Sequence, residues 1–253
     1  MKVLIVGAGA MGNWFAEIVG EAATISFADI DTGASEMAAT RHGGSVFDPG
    51  DPEQVDLVCI AVPMGVVTDT IATYAEYATK AIIDLSGSMR KPVKAMRAAA
   101  PTVERMSLHP LFAPANAPGN VAVVTDNAGP VTSDVSRMLD DASYRVVETT
   151  IEEHDRAMET VQAKAHAALL AYALVAEPIP PGFHTPISSG LDALLEDMLA
   201  GSPQVYADIQ ETFSGATSLA EAARVIAEAD EDAFAELYQD ATKRRQNQSD
   251  DRG

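Results

Sequence analysis

The sequence predicts an α/β chain in two parts: a doubly wound sheet with helices on both faces over residues 1–150, then an all-helical domain over 151–253 that dimerises. Three observations carry this. Short apolar runs alternate with helix-compatible stretches through the first part, strand-like runs cease after residue 150, and a glycine-rich turn follows the first run directly. With 47% hydrophobic and 21% charged residues, a chain of 253 residues has ample material for a core.

Each element has its own signal. Runs at 2–7, 23–29, 56–62, 81–86, 104–109, 121–125 and 144–148 read as strands, several of them continuously apolar, as helices on both faces require. Helix-compatible stretches lie at 10–20, 65–79, 90–99 and 131–142. Thr150 and Glu153 have the spacing of a capping box, which predicts a long helix to about Ala176. "EPIPPGFHTP" (177–186) breaks it, and further helices are expected at 189–200, 204–213, 218–228 and 231–245. The tail from 244 is expected to fray. Many apolar positions of this second part are small alanines, so a second copy is expected to complete its core.

Composition excludes several classes. Net charge is −20, from 37 acidic and 17 basic residues, which leaves no basic footprint for nucleic acid. The acid is spread along the chain and fits either a halophilic source, where salt screens it, or an ordinarily acidic protein. No apolar run is long enough to span a bilayer, and the N-terminus opens on strand-like sequence, so no signal peptide is expected. One cysteine, Cys59, excludes an internal disulfide and a cysteine metal cluster. A cytoplasmic protein without a metal is expected.

"VGAGAMG" places Gly7, Gly9 and Gly12 around Ala8, Ala10 and Met11, after a strand and before a helix. In that context G-x-G-x-x-G is the dinucleotide fingerprint of a Rossmann-type sheet: a tight turn, a bare approach for pyrophosphate, and close helix–strand packing. Asp29 ends the second strand, twenty residues after Gly9, with Asp31 just beyond. A carboxylate there accepts from ribose hydroxyls and repels a 2′-phosphate, so NAD is expected over NADP. Val62 and Pro63 in "AVPMG" end the next strand and border the nicotinamide side.

"SLHPLFAP" (107–114) ends a strand on His109 and stiffens the exit with Pro110 and Pro114. Ligands of open α/β sheets bind outside the carboxyl ends of the strands, which puts the imidazole at the cleft, either to meet a substrate hydroxyl as a general base or only to cap the strand. Its rate profile is then expected to rise through the ordinary histidine range. At roughly 100° per residue, Asp155, Gln162 and His166 line one polar stripe of the long helix, beside an apolar face of Ile151, Met158, Ala165, Leu169 and Tyr172.

These segments resemble the prephenate dehydrogenase family. "SLHPLFAP" is similar to its His-Pro-Met-Phe-Gly-Pro loop, and "DLSGSMRKPVKAM" (84–96) to its Asp-x-x-Ser-Val-Lys segment. "HDRAMETVQAKAHAALLAYAL" (154–174) resembles its helix that opens on a His-Asp pair, and "SPQVYADIQ" (202–210) its Pro-x-Leu-Tyr-Ala-Asp-Ile helix. The resemblance covers about residues 1–215. It implies NAD-dependent oxidative decarboxylation of prephenate to 4-hydroxyphenylpyruvate in tyrosine biosynthesis. His109 would draw the proton of the 4-hydroxyl, and Ser88, or Ser86, would hydrogen-bond the reacting centre.

The chain departs from the family where cations are needed. The helical arginine position reads Asp197, the loop glycine is Ala113, and Met89, Arg90 and Lys91 stand around the family lysine. Arg90 and Lys91, with His166 and Gln162, are the expected substrate contacts, and Lys164 or Arg156 are the other cations to hand. Arogenate, with an ammonium in place of the side-chain keto group, is the alternative substrate. A dinucleotide-binding regulatory protein without catalysis is the alternative of another class.

Overall fold

The computed structural model describes residues 1–50, 53–180 and 182–250. They form two compact units. One comprises residues 1–158 with 199–212, the other residues 159–198 with those from 213 onward. The first unit therefore runs past residue 150, where the sequence reading divided the chain.

Eight strands form one sheet in the first unit. They are β1 (Lys2–Val6), β2 (Thr24–Ala28), β3 (Ser45–Val46), β4 (Val55–Ile60), β5 (Ala78–Asp84), β6 (Glu104–Pro110), β7 (Asn120–Asn127) and β8 (Arg145–Glu148). Their order is β3-β2-β1-β4-β5-β6-β7-β8. The order reverses between β1 and β4, the switch point at which such sheets bind ligands. All pairs are parallel except β6 with β7. Residues 111–119 between those two strands contain no crossover α-helix, so β7 returns antiparallel.

Helices α1 (Ala10–Val19), α2 (Thr32–His42), α3 (Val67–Tyr74), α4 (Arg90–Ala99) and α5 (Pro130–Asp141) fill the crossovers. Trp14 and Phe15 of α1, Ala38 of α2 and Val135 of α5 pack with Val3, Ile5, Leu57 and Ile83 on one face. Ile71 of α3 and Val93 and Met96 of α4 pack with Leu4, Val58, Ile60 and Ile82 on the other. Alternate residues of the central strands thus enter opposite layers, which is why these strands read as unbroken apolar runs.

Two elements escaped the apolar pattern. Strand β3 has only two residues, and α2 buries only Ser35, Ala38 and Ala39. The ends of α2 are chemically marked all the same. Asp31 accepts from the Gly33 amide at 2.9 Å, and Gly43 closes the helix at φ 64°, in the left-handed region.

The long helix expected from Thr150 begins as α6 (Ile151–Met158), with the Thr150 hydroxyl accepting from the Glu153 amide at 3.1 Å. A π-helical segment, Glu159–Lys164, follows before α7 (Ala165–Val175). The wider i→i+5 turn breaks the 3.6-residue register. The polar stripe from Asp155 to His166 therefore does not hold, and neither does the apolar face. Met158 and Ala163 are buried, whereas Ala165 is exposed. Helices α8 (Pro186–Leu199), α9 (Pro203–Thr212), α10 (Gly215–Glu228) and α11 (Glu231–Asp250) complete the chain. Helix α11 continues to Asp250 where fraying was expected from residue 244, and residues 251–253 of that tail lie outside the described residues. Within the second unit, Gly215 lets α10 abut the π segment. A Cβ there would lie 2.7 Å from both the Ala163 side chain and the Lys164 amide.

Candidate active site

The glycine turn is built as its spacing requires. Gly7 has φ +104°, and a Cβ there would strike the Ala61 carbonyl and press on Val62. A Cβ on Gly12 would strike the carbonyl of Gly7. Around Gly9, by contrast, a Cβ would meet nothing within 4 Å. The turn therefore packs tightly on β4 through Gly7, and through Gly12 on itself, while Gly9 opens outward. Ala10 and Met11 begin α1, where amides and the positive end of the helix dipole favour phosphate. These residues fit a dinucleotide pyrophosphate.

Asp29 is tied into the turn. Its Oδ2 accepts from the Ala8 amide at 2.7 Å and its Oδ1 from the Asp31 amide at 3.0 Å. The carboxylate is thus part of the turn, with lone pairs to spare for hydroxyl donors. Asp31 caps α2 with its side chain. Asn13, which the sequence reading did not single out, holds the turn from the other side. Its Nδ2 donates to the carbonyls of Ala8 at 2.7 Å and Gly9 at 2.9 Å, and its Oδ1 lies 2.9 Å from Nε2 of His42. The signal was available, since Asn13 directly follows Gly12. Val62 lies under Gly7, and Pro63 is exposed beyond it.

His109 is buried at the carboxyl end of β6. Its Nδ1 lies 2.9 Å from Nε2 of His154 on α6, the rings meeting edge to face. His154 Nδ1 lies 2.9 Å from Oδ1 of Asp155, which also accepts from the Met89 amide at 3.1 Å. Burial pushes the His109 imidazole down to about 3, with His154 reinforcing the shift and the Asp155 charge opposing it. The rise in rate expected through the ordinary histidine range therefore does not belong to this group, which is neutral well below it. Burial raises the Asp155 carboxyl, but the His154 hydrogen bond and the Met89 and Arg90 amides outweigh it and hold the group below the usual carboxylate range. Neither His154 nor the pairing of Asp155 with it was assigned from the sequence. The His-Asp pair at the helix start was the visible signal.

The loop after β5 faces His109 through Gly87, where a Cβ would lie 3.5 Å from His109 Nε2 and 3.4 Å from the Met64 sulfur. Ser86 and Ser88 flank it, both buried. Beneath them Asp84 ends β5, fully buried, in register with Ser107 of β6. Its Oδ2 accepts from the Ser86 amide at 3.0 Å. Burial raises its carboxyl to about 7, against hydrogen bonds from Ser107 and Ser86 that favour the ionised form. Ser86 is thus tied down to Asp84 through its amide.

The expected cations are distributed differently. Arg90, at the start of α4, faces Glu152 at 3.3 Å and Asp155 at 3.9 Å. Lys91 is exposed on the same turn. Gln162 lies in the π segment and His166 on α7, both in the second unit and both partly buried; burial lowers the His166 imidazole. Asp197 is exposed on α8. The structure thus brings together Gly7, Gly9, Gly12, Asp29 and Val62 in one constellation, and His109 with the 86–88 loop in another, both at the carboxyl edge of the sheet.

No family model matches the chain. A 4-amino-4-deoxyprephenate dehydrogenase from Streptomyces pristinaespiralis is 28% identical over 268 aligned positions, spanning 93% of this chain and 88% of that protein. Among solved structures, prephenate dehydrogenase from Aquifex aeolicus, in complex with hydroxyphenyl propionate and NAD+, superposes with a TM-score of 0.72 at 18% identity. It covers 97% of this chain and 98% of its own. Synechocystis arogenate dehydrogenase gives 0.62 at 14% identity, covering 98% and 99%. The chain is thus similar along almost its whole length to a 4-amino-4-deoxyprephenate dehydrogenase, and it shares its fold with prephenate and arogenate dehydrogenases.

Proposed function

We propose that the chain catalyses the NAD-dependent oxidative decarboxylation of a prephenate-type cyclohexadiene. The observation that carries this is His109: a buried, neutral imidazole whose Nε2 faces the serine-bearing 86–88 loop at the sheet edge that also holds the glycine turn. NAD, held by the glycine turn and Asp29, would supply the hydride acceptor. His109 Nε2 accepts the proton of the ring's 4-substituent as hydride leaves carbon 4. Loss of the ring carboxylate as carbon dioxide returns its electron pair to the ring, and the same proton goes back to the 4-substituent of the aromatic product. No net proton is consumed. Ser88 donates to the reacting centre, with Ser86, whose backbone amide binds Asp84, as the alternative. Arg90 and Lys91 are the proposed carboxylate contacts in the first unit. His166 is proposed as a substrate contact on the sequence resemblance, and Gln162 from its spacing four residues before it.

Three substrates share this chemistry. Prephenate is the first reading, yielding 4-hydroxyphenylpyruvate, and arogenate its side-chain amino analogue. The Streptomyces relative favours a third, with an amino group on carbon 4. A lone pair on His109 serves a hydroxyl or a neutral amine alike. The test is NADH formation, followed by absorbance, with each substrate in turn. Turnover of any one supports the reaction class and names the substrate. Tight NAD binding with no turnover of all three would favour a non-catalytic dinucleotide-binding protein. We propose further that the helical unit pairs with a second copy of the chain.

A further inference from the structure

From the geometry around β6 and α6, we infer that His154 and Asp155 are positioning residues that fix the tautomer of His109, placing its lone pair on Nε2. The inference rests on His109 as the base of the proposed reaction, but its central measurement does not. The chain of contacts runs from Asp155 Oδ1 to His154 Nδ1, and from His154 Nε2 to His109 Nδ1, each step 2.9 Å. An ionised carboxylate only accepts, so His154 must donate from Nδ1. With one proton on that ring, His154 Nε2 accepts, and His109 must donate from Nδ1. The lone pair of His109 then lies at Nε2, on the side of Gly87.

Asp155 is itself fixed. The Met89 amide donates to the same Oδ1 that faces His154, and the Arg90 guanidinium stands 3.9 Å from Oδ2. The loop that carries Ser88 thereby runs straight into the residue that orients the carboxylate. One strand-to-helix connection aligns both the hydroxyl donor and, through Asp155 and His154, the base. The two rings and the carboxylate are buried or largely so, with His154 and His109 closed to solvent, so bulk water does not compete for these donors. When His109 Nε2 takes a proton, its Nδ1–H bond to His154 strengthens against an acceptor backed by a carboxylate. That eases a positive charge which burial otherwise opposes.

Histidine-selective 15N labelling tests this on the unmodified full chain with NAD bound. The five histidines are assigned by single substitutions. At neutral pH, His109 and His154 are both expected as the Nδ1-protonated tautomer. An Nε2-protonated His109, or a doubly protonated His154, would overturn the inference whatever the enzyme turns over. In His154→Leu the acceptor is gone, and His109 is expected to move to the Nε2-protonated form. Its kcat should fall by about 10²-fold, the lower end of what a base supplies, with KM for NAD unchanged. His154→Gln, which offers a carbonyl oxygen to His109 Nδ1, should recover part of that loss and restore the Nδ1 tautomer. A folded His154→Leu with unaltered His109 tautomer would also overturn the inference. If the wild-type tautomers are as expected but all three substrates are inert, it is the proposed reaction that fails.

Discussion

The Asp29 carboxylate, just beyond β2, reaches the glycine turn that follows the neighbouring strand β1, its Oδ2 accepting from the Ala8 amide at 2.7 Å. The discrimination against a 2′-phosphate proposed for Asp29 and its support of the turn would therefore reside in one side chain, and simple truncation confounds them. Asp29→Asn separates the two, because an amide oxygen still accepts from Ala8 while the repelling charge is gone. Its ratio of NADP to NAD use is expected to rise with little loss of thermal stability. Asp29→Ala removes the bond to Ala8 as well and should weaken NAD binding by about tenfold or more. Titration of both cofactors against the two variants checks this. A parent enzyme that already prefers NADP would refute the assignment.

His109→Asn tests the base directly. Asparagine keeps a polar side chain of similar reach but cannot take the proton. Turnover should fall about 10²- to 10⁴-fold at saturating NAD. NAD affinity should hold, since the proposed cofactor contacts, the turn and Asp29, do not include His109. In the wild type, the rate between pH 5 and 8 should show no step from this group, whose imidazole lies near 3. An inflection in that range that vanishes in His109→Asn would contradict the burial argument.

The fold was legible because its apolar runs are long and buried on both sides. Strand β4 and the helix α4 stand where their sequence put them, and Gly7, Gly9 and Gly12 form the turn their spacing requires. What escaped had no apolar period to show. Helix α2 buries alanines and a serine, and β3 is two residues long. The π segment at Glu159–Lys164 is invisible to any wheel drawn at a fixed angle, so it undid the stripe joining Asp155 to His166. In the site, the sequence exposed the residues at strand ends, His109 and Asp29, but not their partners. His154 lies 45 positions from His109 and Met89 lies 66 from Asp155, so only the folded chain pairs them.

The second unit leaves large apolar side chains on its surface. Leu174, Val175, Phe183 and Ile187 are each at least 75% exposed. A solvated surface of that character favours association. Light scattering of the full chain at micromolar concentration should give twice the monomer mass. Leu174→Glu with Ile187→Glu should shift it toward monomer while leaving NAD binding intact, because the glycine turn lies in the other unit. A wild-type monomer under these conditions would rule out the pairing.

Asp84 and His109 are buried groups with opposite pH linkage, and each is expected to mask the other. Burial raises Asp84 to about 7. Between its unfolded value near 4 and about 7, the native chain holds a proton that the unfolded chain releases, so stability falls as pH rises. Burial lowers His109 to about 3. Between about 3 and its unfolded value near 6.5, the unfolded chain binds a proton that the native chain refuses, so stability rises with pH. Across roughly pH 4 to 6.5 the two slopes oppose, each up to about 1.4 kcal/mol per pH unit. The contributions of these two groups should therefore nearly cancel there. Asp84→Asn should unmask the histidine and lose stability steeply on acidification below pH 6.5. His109→Asn should unmask the carboxyl and lose stability as pH rises from 4 to 7. Denaturant unfolding at half-unit pH steps reads both slopes. The double variant should return to the wild-type slope, which the other shifted groups, His166 and Asp155 among them, set in both proteins.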